Sequence, residues 1–173
     1  MAVQVIVLNG GSSSGKTGIA RCLQTILPHP WLAFGIDDLV SALPATGGGI
    51  DFDADGGVTV HTAFRELERA WMAGIAATAG AGARVVVDDV FLSGVESQRR
   101  WRTALSGLSV LWVGVRCSAE VAADREVARG DRAVGMALRQ AESVHTGVGY
   151  DLEVDTTHTE AMGCARIIAG FID

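Results

Sequence analysis

Lysine is almost absent from this sequence of 173 residues. Lys16 is its single lysine, whereas arginine occurs 13 times. Acidic residues outnumber basic residues by 20 to 14, which gives a formal net charge of −6. Because a nucleic-acid-binding protein generally carries a basic face, this balance argues against a general nucleic-acid binder. The arginine excess alone predicts no function, since codon usage in a GC-rich genome gives the same bias, but it singles out Lys16.

Cysteine, histidine and long apolar runs are also scarce. The three cysteines form no CxxC pair, and the four histidines show no ligand spacing, so zinc sites and thioredoxin-like redox sites are not expected. The first apolar run ends at Asn9, which makes it too short for a signal peptide or a membrane span. We therefore expect a cytoplasmic protein with reduced thiols and no membrane partner. Self-association into a homo-oligomer stays open.

Short apolar, β-branched segments alternate with helical patterns along the whole chain. Five of them are typical of strands, at residues 3–8, 31–36, 84–87, 110–115 and 152–154. Continuous apolar runs suit strands that are buried on both faces of a parallel sheet. The sequence therefore predicts one three-layer α/β domain over residues 1–173, in which a five-stranded parallel sheet is flanked by helices. Ligands of such a sheet bind at the carboxyl ends of its strands.

The helical patterns carry recognisable start signals. Thr62 is the predicted N-cap of a long helix, and Ser118 can cap the helix after the fourth strand. Ser93 and Thr157 each begin a capping-box pattern. The apolar stripe of the long helix is predicted to consist of Phe64, Leu67, Trp71 and Ile75. Its charged residues, Glu68 among them, are predicted to lie largely outside that stripe.

One motif is strong. Residues 10–17 match the phosphate-loop pattern GxxxxGK[ST], and they follow an apolar strand and precede a helical pattern, as the motif requires. Glycines let backbone N–H groups face phosphate oxygens, and the helix N-terminus adds a positive dipole end. Lys16 can reach the β- and γ-phosphates of ATP, and the Thr17 hydroxyl can bind Mg²⁺. The predicted nucleotide-binding residues are Gly10, Gly11, Ser12, Ser13, Ser14, Gly15, Lys16 and Thr17. The fold is thus predicted to be of the P-loop NTPase or kinase type.

Two pairs of acids follow predicted strands and should face the phosphate loop. Asp37 and Asp38 follow the second strand, and Asp88 and Asp89 follow the third. Phosphoryl transfer to an alcohol needs a carboxylate near the acceptor hydroxyl, and Asp37 is the first candidate for that base, with Asp38 second. The alternative is that either residue caps a short helix. Asp88 is the first candidate for binding Mg²⁺, with Asp89 as the alternative.

Three arginines are spaced for one helix face. Arg125, Arg129 and Arg132 lie at i, i+4 and i+7, so a helix that runs through them brings them together. Such a stack of like charges suits a bound triphosphate, and we predict a lid over residues 125–135 that puts arginine charge on the transferred group. The alternative is a solvated face.

The segment 44–60 is rich in glycine and aspartate. Its aspartate spacing resembles a calcium loop, but Thr62 stands where the twelfth-position glutamate would be needed. A surface loop or hairpin on the acceptor side of the active site is the favoured interpretation.

The chain resembles the chloramphenicol phosphotransferases over nearly its whole length. The stretches that carry the resemblance are LNGGSS (8–13), WLAFGID (31–37), FDADGG (52–57), DDVF (88–91), LWVGVRC (111–117), ARGDR (128–132) and YD (150–151). The resemblance implies a kinase that uses ATP and Mg²⁺ to phosphorylate the primary hydroxyl of chloramphenicol. This reaction inactivates the antibiotic and gives self-resistance.

The resemblance also implies roles for individual residues. Asp37 would act as the base, Arg129 and Arg132 would contact phosphates, and Ser12 would lie near the acceptor, with Phe34 and Phe52 on the acceptor side. The expected function is therefore ATP-dependent O-phosphorylation of chloramphenicol or a related antibiotic. The alternatives are kinases of another small alcohol, a nucleoside or a nucleic-acid 5′-hydroxyl. A nucleotide-binding regulator without transfer activity is the rival from another class.

Overall fold

The computed structural model describes residues 2–130 and 135–172. Strands and helices alternate along these residues. The strands are β1 (Val5–Asn9), β2 (Trp31–Gly35), β3 (Ile50–Phe52), β4 (Val58–Val60), β5 (Arg84–Asp89), β6 (Val110–Arg116) and β7 (Leu152–Asp155). The helices are α1 (Lys16–Ile26), α2 (Ile36–Ala42), α3 (Thr62–Gly80), α4 (Val95–Ala104), α5 (Ala119–Arg129), α6 (Met136–Ser143) and α7 (Ala161–Ala169). No helix in this described part is long and apolar enough to cross a bilayer.

Five of the strands form one parallel sheet, in the order β2-β5-β1-β6-β7. The central strand β1 pairs with β5 and β6, so that Val5 lies opposite both Val85 and Val110. The predicted α/β fold with a five-stranded parallel sheet is confirmed. Because all five strands run in the same direction, the segments that follow β1, β2 and β5 meet at one edge, and the phosphate loop and both acid pairs lie there.

The core explains why the strands are apolar on both faces. Ile6 and Leu8 pack on one face of the sheet with side chains of α1 and α7. Val5 and Val7 pack on the other face with side chains of α3 and α4. Neighbouring residues of a strand point to opposite faces, so a strand between two helical layers needs apolar residues at nearly every position.

Strands β3 and β4 form an antiparallel hairpin in the segment 44–60. Its tip approaches the start of α6, where the Arg139 guanidinium donates through Nε to the backbone oxygen of Asp55 at 3.0 Å and also binds the Asp55 carboxylate. The close approach requires glycine at the tip. A Cβ on Gly56 would lie 2.3 Å from the backbone nitrogen of Met136. The hairpin is therefore held against α6.

Several local predictions about the helices need correction. The buried face of α3 includes Glu68 and Met72, whereas the predicted core residue Leu67 is 43% exposed. Helix α4 is capped by Gly94 instead of Ser93, because the chain must pass close to the carbonyl oxygen of Thr146 there. The N-cap of α3 is His61 instead of Thr62, and the N-cap of α7 is Glu160 instead of Thr157. The Ser118 cap of α5 is confirmed, since its hydroxyl accepts a hydrogen bond from the N–H of Val121.

Candidate active site

The phosphate loop connects β1 to α1. Gly15 is the N-cap of α1 and has a φ of 91°, a conformation that favours glycine, and no side chain in the described part of the protein caps this helix. A Cβ on Gly10 would lie 2.5 Å from the carbonyl oxygen of Val115. The loop therefore places an uncapped helix N-terminus toward the cavity, which is the arrangement that binds phosphate.

A buried polar cluster holds the residue that precedes this loop. The Asn9 side chain accepts from the N–H of Phe91 at 2.9 Å and donates to the carbonyl of Val144 at 2.9 Å and to the Tyr150 hydroxyl at 2.6 Å. The same hydroxyl lies 2.6 Å from Nδ1 of His145. Burial lowers the pKa of His145 to about 4, so its ring is neutral at physiological pH. The cluster fixes the start of the loop against two other segments.

Lys16 and Thr17 lie beside the end of β5. The Lys16 ammonium donates to the carbonyl of Gly11 at 2.9 Å and lies 3.8 Å from the Asp88 carboxylate. The Thr17 hydroxyl donates to the same carboxylate at 2.6 Å. Two oxygen donors of the type that Mg²⁺ prefers are thus paired next to the phosphate loop. Within residues 2–130 and 135–172 there is no group of three His, Cys, Asp or Glu side chains that could hold a metal.

The two acids at the end of β5 have different environments. Asp88 faces the phosphate loop, whereas Asp89 is 3% exposed and accepts hydrogen bonds from the Trp101 indole and the N–H of Val90. Burial raises the pKa of Asp89 to about 6, although these two hydrogen bonds oppose the shift. The alternation of a strand separates the neighbours, so Asp88 is the one placed beside Thr17.

The acids after β2 both lie in the first turn of α2 and line the same cavity. The Asp38 carboxylate accepts a hydrogen bond from the N–H of Gly35, the N-cap residue of α2, at 2.8 Å. The alternative role as a helix cap therefore applies to Asp38. Asp37 is exposed at the cavity and remains the first candidate for the base.

The predicted arginine face extends over one helix only in part. Helix α5 ends at Arg129, and Gly130 follows with a φ of 68°. Arg125 donates to Thr156, to its carbonyl at 2.7 Å and to its hydroxyl at 3.2 Å. Arg132 and Asp131 lie outside the described residues. Arg125 and Arg129 both line the cavity, and a common face with Arg132 stays a prediction.

Helix α6 contributes contacts that sequence reasoning missed. Gln140 accepts a hydrogen bond from the N–H of Ser12 in the phosphate loop at 2.8 Å. Glu126 of α5 is 2% exposed and accepts from the N–H groups of Gly135 and Ala137, each at 2.7 Å. Its carboxylate thus caps α6 and joins the two helices. No local sequence signal marks this cap, because the capping residue precedes the helix by ten positions.

The cavity between these elements has a volume of about 670 Å³, which is within the usual range of small-molecule sites. The phosphate loop with Asp88, several apolar side chains and a charged cluster all line it. Ser12, Phe34 and Phe52, predicted to lie on the acceptor side, all line it. Among the residues that line it and were not predicted are Phe64, Arg65, Glu68, Ser97, Met136 and Gln140.

Comparisons with known proteins agree with this geometry. Residues 3–173 match the family described as chloramphenicol phosphotransferase-like protein. A provisionally named O-phosphotransferase of Mycobacterium tuberculosis strain H37Rv is 33% identical over 187 aligned positions, which cover 94% of this chain and 79% of the relative.

Two solved structures are similar over nearly the whole chain. The Deinococcus radiodurans tunicamycin resistance protein has a TM-score of 0.70 and 21% identity, with 98% of this chain and 95% of that chain covered. The M. tuberculosis APS kinase CysC, solved with AMPPNP and APS, has a TM-score of 0.69 and 15% identity, with 98% and 96% covered. At these identities the two likenesses show the fold.

Proposed function

This chain belongs to the chloramphenicol phosphotransferase-like family and is a kinase-type phosphotransferase, and from that premise we propose that it transfers the γ-phosphoryl group of ATP to a primary hydroxyl of chloramphenicol or a related antibiotic. The observation that carries the proposal is the 2.6 Å hydrogen bond between Thr17 and Asp88 beside Lys16, in the cavity that Asp37 also lines. Phosphorylation inactivates such an antibiotic, so self-resistance is the proposed role.

The phosphate-loop end of the cavity suits a nucleotide triphosphate. N–H groups of the loop and the first turn of α1 would hold the phosphates, and Lys16 would reach between the β- and γ-phosphates. Thr17 and Asp88 fit Mg²⁺, because this ion binds through one or two protein oxygens and keeps water and phosphate oxygens as its other ligands. A bound Mg²⁺ would neutralise charge that develops on the phosphate oxygens.

At the acceptor end, Asp37 takes the proton of the attacking hydroxyl. The acceptor oxygen then forms a bond to the γ-phosphorus while the bond from this phosphorus to the β,γ-bridging oxygen breaks, and ADP leaves with that electron pair. Lys16 holds the charge that moves onto the bridging side. The reaction needs little covalent chemistry from the protein, so its rate depends on how well these groups hold the two substrates in line.

The arginines of the proposed lid have separate places. Arg129 at the end of α5 lines the cavity, and we assign it to the transferred phosphoryl group. Arg125 lies against Thr156, whose hydroxyl donates to the carbonyl of Ser14 at 2.8 Å, and this contact supports a position beside the nucleotide. Arg132 is assigned to phosphate contact on the family resemblance alone.

The acceptor side of the cavity favours a small, partly apolar molecule. Phe34, Phe52 and Phe64 contribute aromatic surface there, and the net charge of −6 opposes the approach of a polynucleotide. The test is incubation with ATP, Mg²⁺ and a panel of acceptors that contains chloramphenicol, other hydroxylated antibiotics, nucleosides and 5′-hydroxyl oligonucleotides. Chloramphenicol heavier by one phosphoryl group is the expected product. Preferred phosphorylation of nucleosides or oligonucleotides would move the acceptor to that class, and no transfer to any alcohol would overturn the proposal.

A further inference from the structure

An ion-pair cluster between α3 and α4 lines the same cavity as the phosphate loop. Glu68 of α3 is 5% exposed, which is unusual for a carboxylate. The Nη1 group of Arg65 donates to both oxygens of this carboxylate, at 2.9 and 2.8 Å, and Nε of Arg100 lies 3.2 Å from it. Arg65 and Glu68 both line the cavity. The cluster thus joins α3 to α4 and also faces the space where an acceptor would lie.

The place of the cluster follows from the end of β5. Asp88 points toward the phosphate loop and Asp89 toward Trp101 of α4, on the opposite side of the strand. Glu68 lies near enough to Asp89 to raise its pKa further. Lys16, the end of β5 and the cluster all line one cavity, so an acceptor whose hydroxyl meets the γ-phosphate can extend toward Arg65.

Neutralising Glu68 does not account for both arginines. The Arg100 side chain is 32% exposed, and its partial burial lowers its pKa while Glu68 opposes that shift. Arg65 is the second partner, and its side chain is 29% exposed. A buried ion pair contributes little to stability compared with apolar side chains of the same volume. Asp89 balances the charge of the second arginine, and the position of Arg65 at the cavity wall also lets its guanidinium contact a ligand.

Arg65 keeps donors for that contact. A guanidinium carries five N–H groups in a rigid plane. Within the described residues, Arg65 uses Nη1 for Glu68 and Nη2 for the Ser93 hydroxyl at 3.3 Å. At least two N–H groups remain, on Nε and Nη2. Because Glu68 and Ser93 hold the plane, these donors have a defined direction before any ligand binds, which lowers the entropy cost of binding.

The charge of the cluster indicates which acceptors fit. The positive charges of Arg65 and Arg100 are balanced by Glu68 and by Asp89 when both carboxylates are ionised. Lys16, Arg125 and Arg129 also line the cavity, but the triphosphate would occupy these cations, so an acceptor carboxylate would add its negative charge beside Asp37 and Asp88. A neutral group with oxygen lone pairs, such as a nitro group or an amide carbonyl, meets the arginine without that cost.

We infer that Arg65, positioned by Glu68 and Ser93, is a specificity residue that selects neutral acceptors with a hydrogen-bond-accepting oxygen group at the end away from the phosphorylated hydroxyl. This inference rests on the proposed function. In this view the acceptor hydroxyl lies at Asp37, the middle of the acceptor contacts apolar side chains, and its distal oxygen group contacts Arg65.

The test compares matched acceptors and matched variants. Each alcohol that the enzyme phosphorylates is paired with an analogue that lacks the distal oxygen group. The first pair is chloramphenicol and its analogue in which hydrogen replaces the nitro group. Wild-type protein should show a KM about tenfold lower for the oxygen-bearing member, as expected for hydrogen bonds from a charged donor. Arg65→Met should abolish this difference and leave the KM for ATP unchanged. Arg69→Met removes an exposed arginine from the same helix and should preserve the difference.

Two further outcomes separate the inference from the proposed function. Glu68→Gln should reduce the acceptor preference as Arg65→Met does, and Arg65→Lys should restore part of it, which a purely structural role would not predict. Transfer by wild-type protein with equal KM for both members of every pair would overturn the inference alone, and this comparison needs no variant to fold. Absence of transfer to every alcohol would overturn the proposed function and the inference with it.

Discussion

The assignment of the base to Asp37 instead of Asp38 gives the sharpest test of the site. A positioned general base contributes about 10²–10⁴-fold to proton transfer. Asp37→Asn keeps the size of the side chain and removes its basicity, so the turnover number should fall by about 10²-fold or more, equivalent to about 3 kcal/mol of transition-state stabilisation. The affinity for ATP should be unchanged, because Asp37 belongs to α2 and not to the phosphate loop.

Asp38→Asn is the matched control at the neighbouring position. The Asp38 carboxylate accepts a hydrogen bond from the N–H of Gly35, the N-cap residue of α2, at 2.8 Å. An asparagine keeps an oxygen that can accept this hydrogen bond, so the free energy of unfolding should fall by less than about 1 kcal/mol. Turnover should stay within about threefold of wild type, a difference of less than 1 kcal/mol.

The two variants are compared by single-turnover transfer of the γ-phosphoryl group, by calorimetric titration with ATP and by urea denaturation. Turnover that is retained in Asp37→Asn and lost in Asp38→Asn would assign the base to Asp38 and refute the reasoning from the hydrogen bond between Asp38 and Gly35. Equal loss in both variants, with a large drop in stability, would show that α2 itself had been disrupted.

Three other perturbations test the rest of the site. Lys16→Arg should lower turnover about 10²–10³-fold in the transfer assay, because a guanidinium does not fit where the Lys16 ammonium donates to the carbonyl of Gly11. Turnover of the variant equal to that of the wild type would contradict this reasoning. Glu126→Gln should lower the free energy of unfolding by about 2–3 kcal/mol in urea denaturation, since one of the two N–H groups that Glu126 accepts from would face an amide NH₂. Asp124→Asn, at an exposed position of the same helix, should lower it by less than about 0.5 kcal/mol. Equal decreases in the two variants would refute the cap. The pKa of Asp89 rises from 3.8 to about 6 on folding, so the free energy of unfolding should fall by about 3 kcal/mol as the pH rises between these values. Asp89→Asn should lack that fall when the unfolding of the two proteins is compared across this pH range.

The nucleotide end of the site was predictable because its parts are contiguous in the chain. Glycine at positions 10 and 15, Lys16 and Thr17 belong to one loop between a strand and a helix, and local geometry suffices to present them to a phosphate. The fold class was predictable for a related reason, since strands buried on both faces must be apolar throughout. The family resemblance added a reaction and an acceptor class, of which the phosphotransferase reaction is established and chloramphenicol is proposed.

Choices between neighbouring residues needed the tertiary structure. Asp88 and Asp89 are equivalent in the sequence, and only the packing of Trp101 of α4 beneath the sheet shows which carboxylate is buried. Glutamate is usually a solvent-exposed residue, yet Glu68 is buried because it forms ion pairs with Arg65 of α3 and Arg100 of α4. Such contacts depend on how α3 and α4 pack together.

The sequence by itself determined that this chain has a phosphate-loop motif that contains its single lysine, within a parallel α/β sheet. The tertiary structure decided what surrounds that loop. Gln140 accepts a hydrogen bond from the N–H of Ser12, Asp88 accepts one from the Thr17 hydroxyl, and Glu126 caps α6. Each of these contacts joins separate elements of the fold. The physical reason is that a loop binds phosphate through its own backbone, whereas an acceptor is bound by side chains that only the packing of several elements brings together.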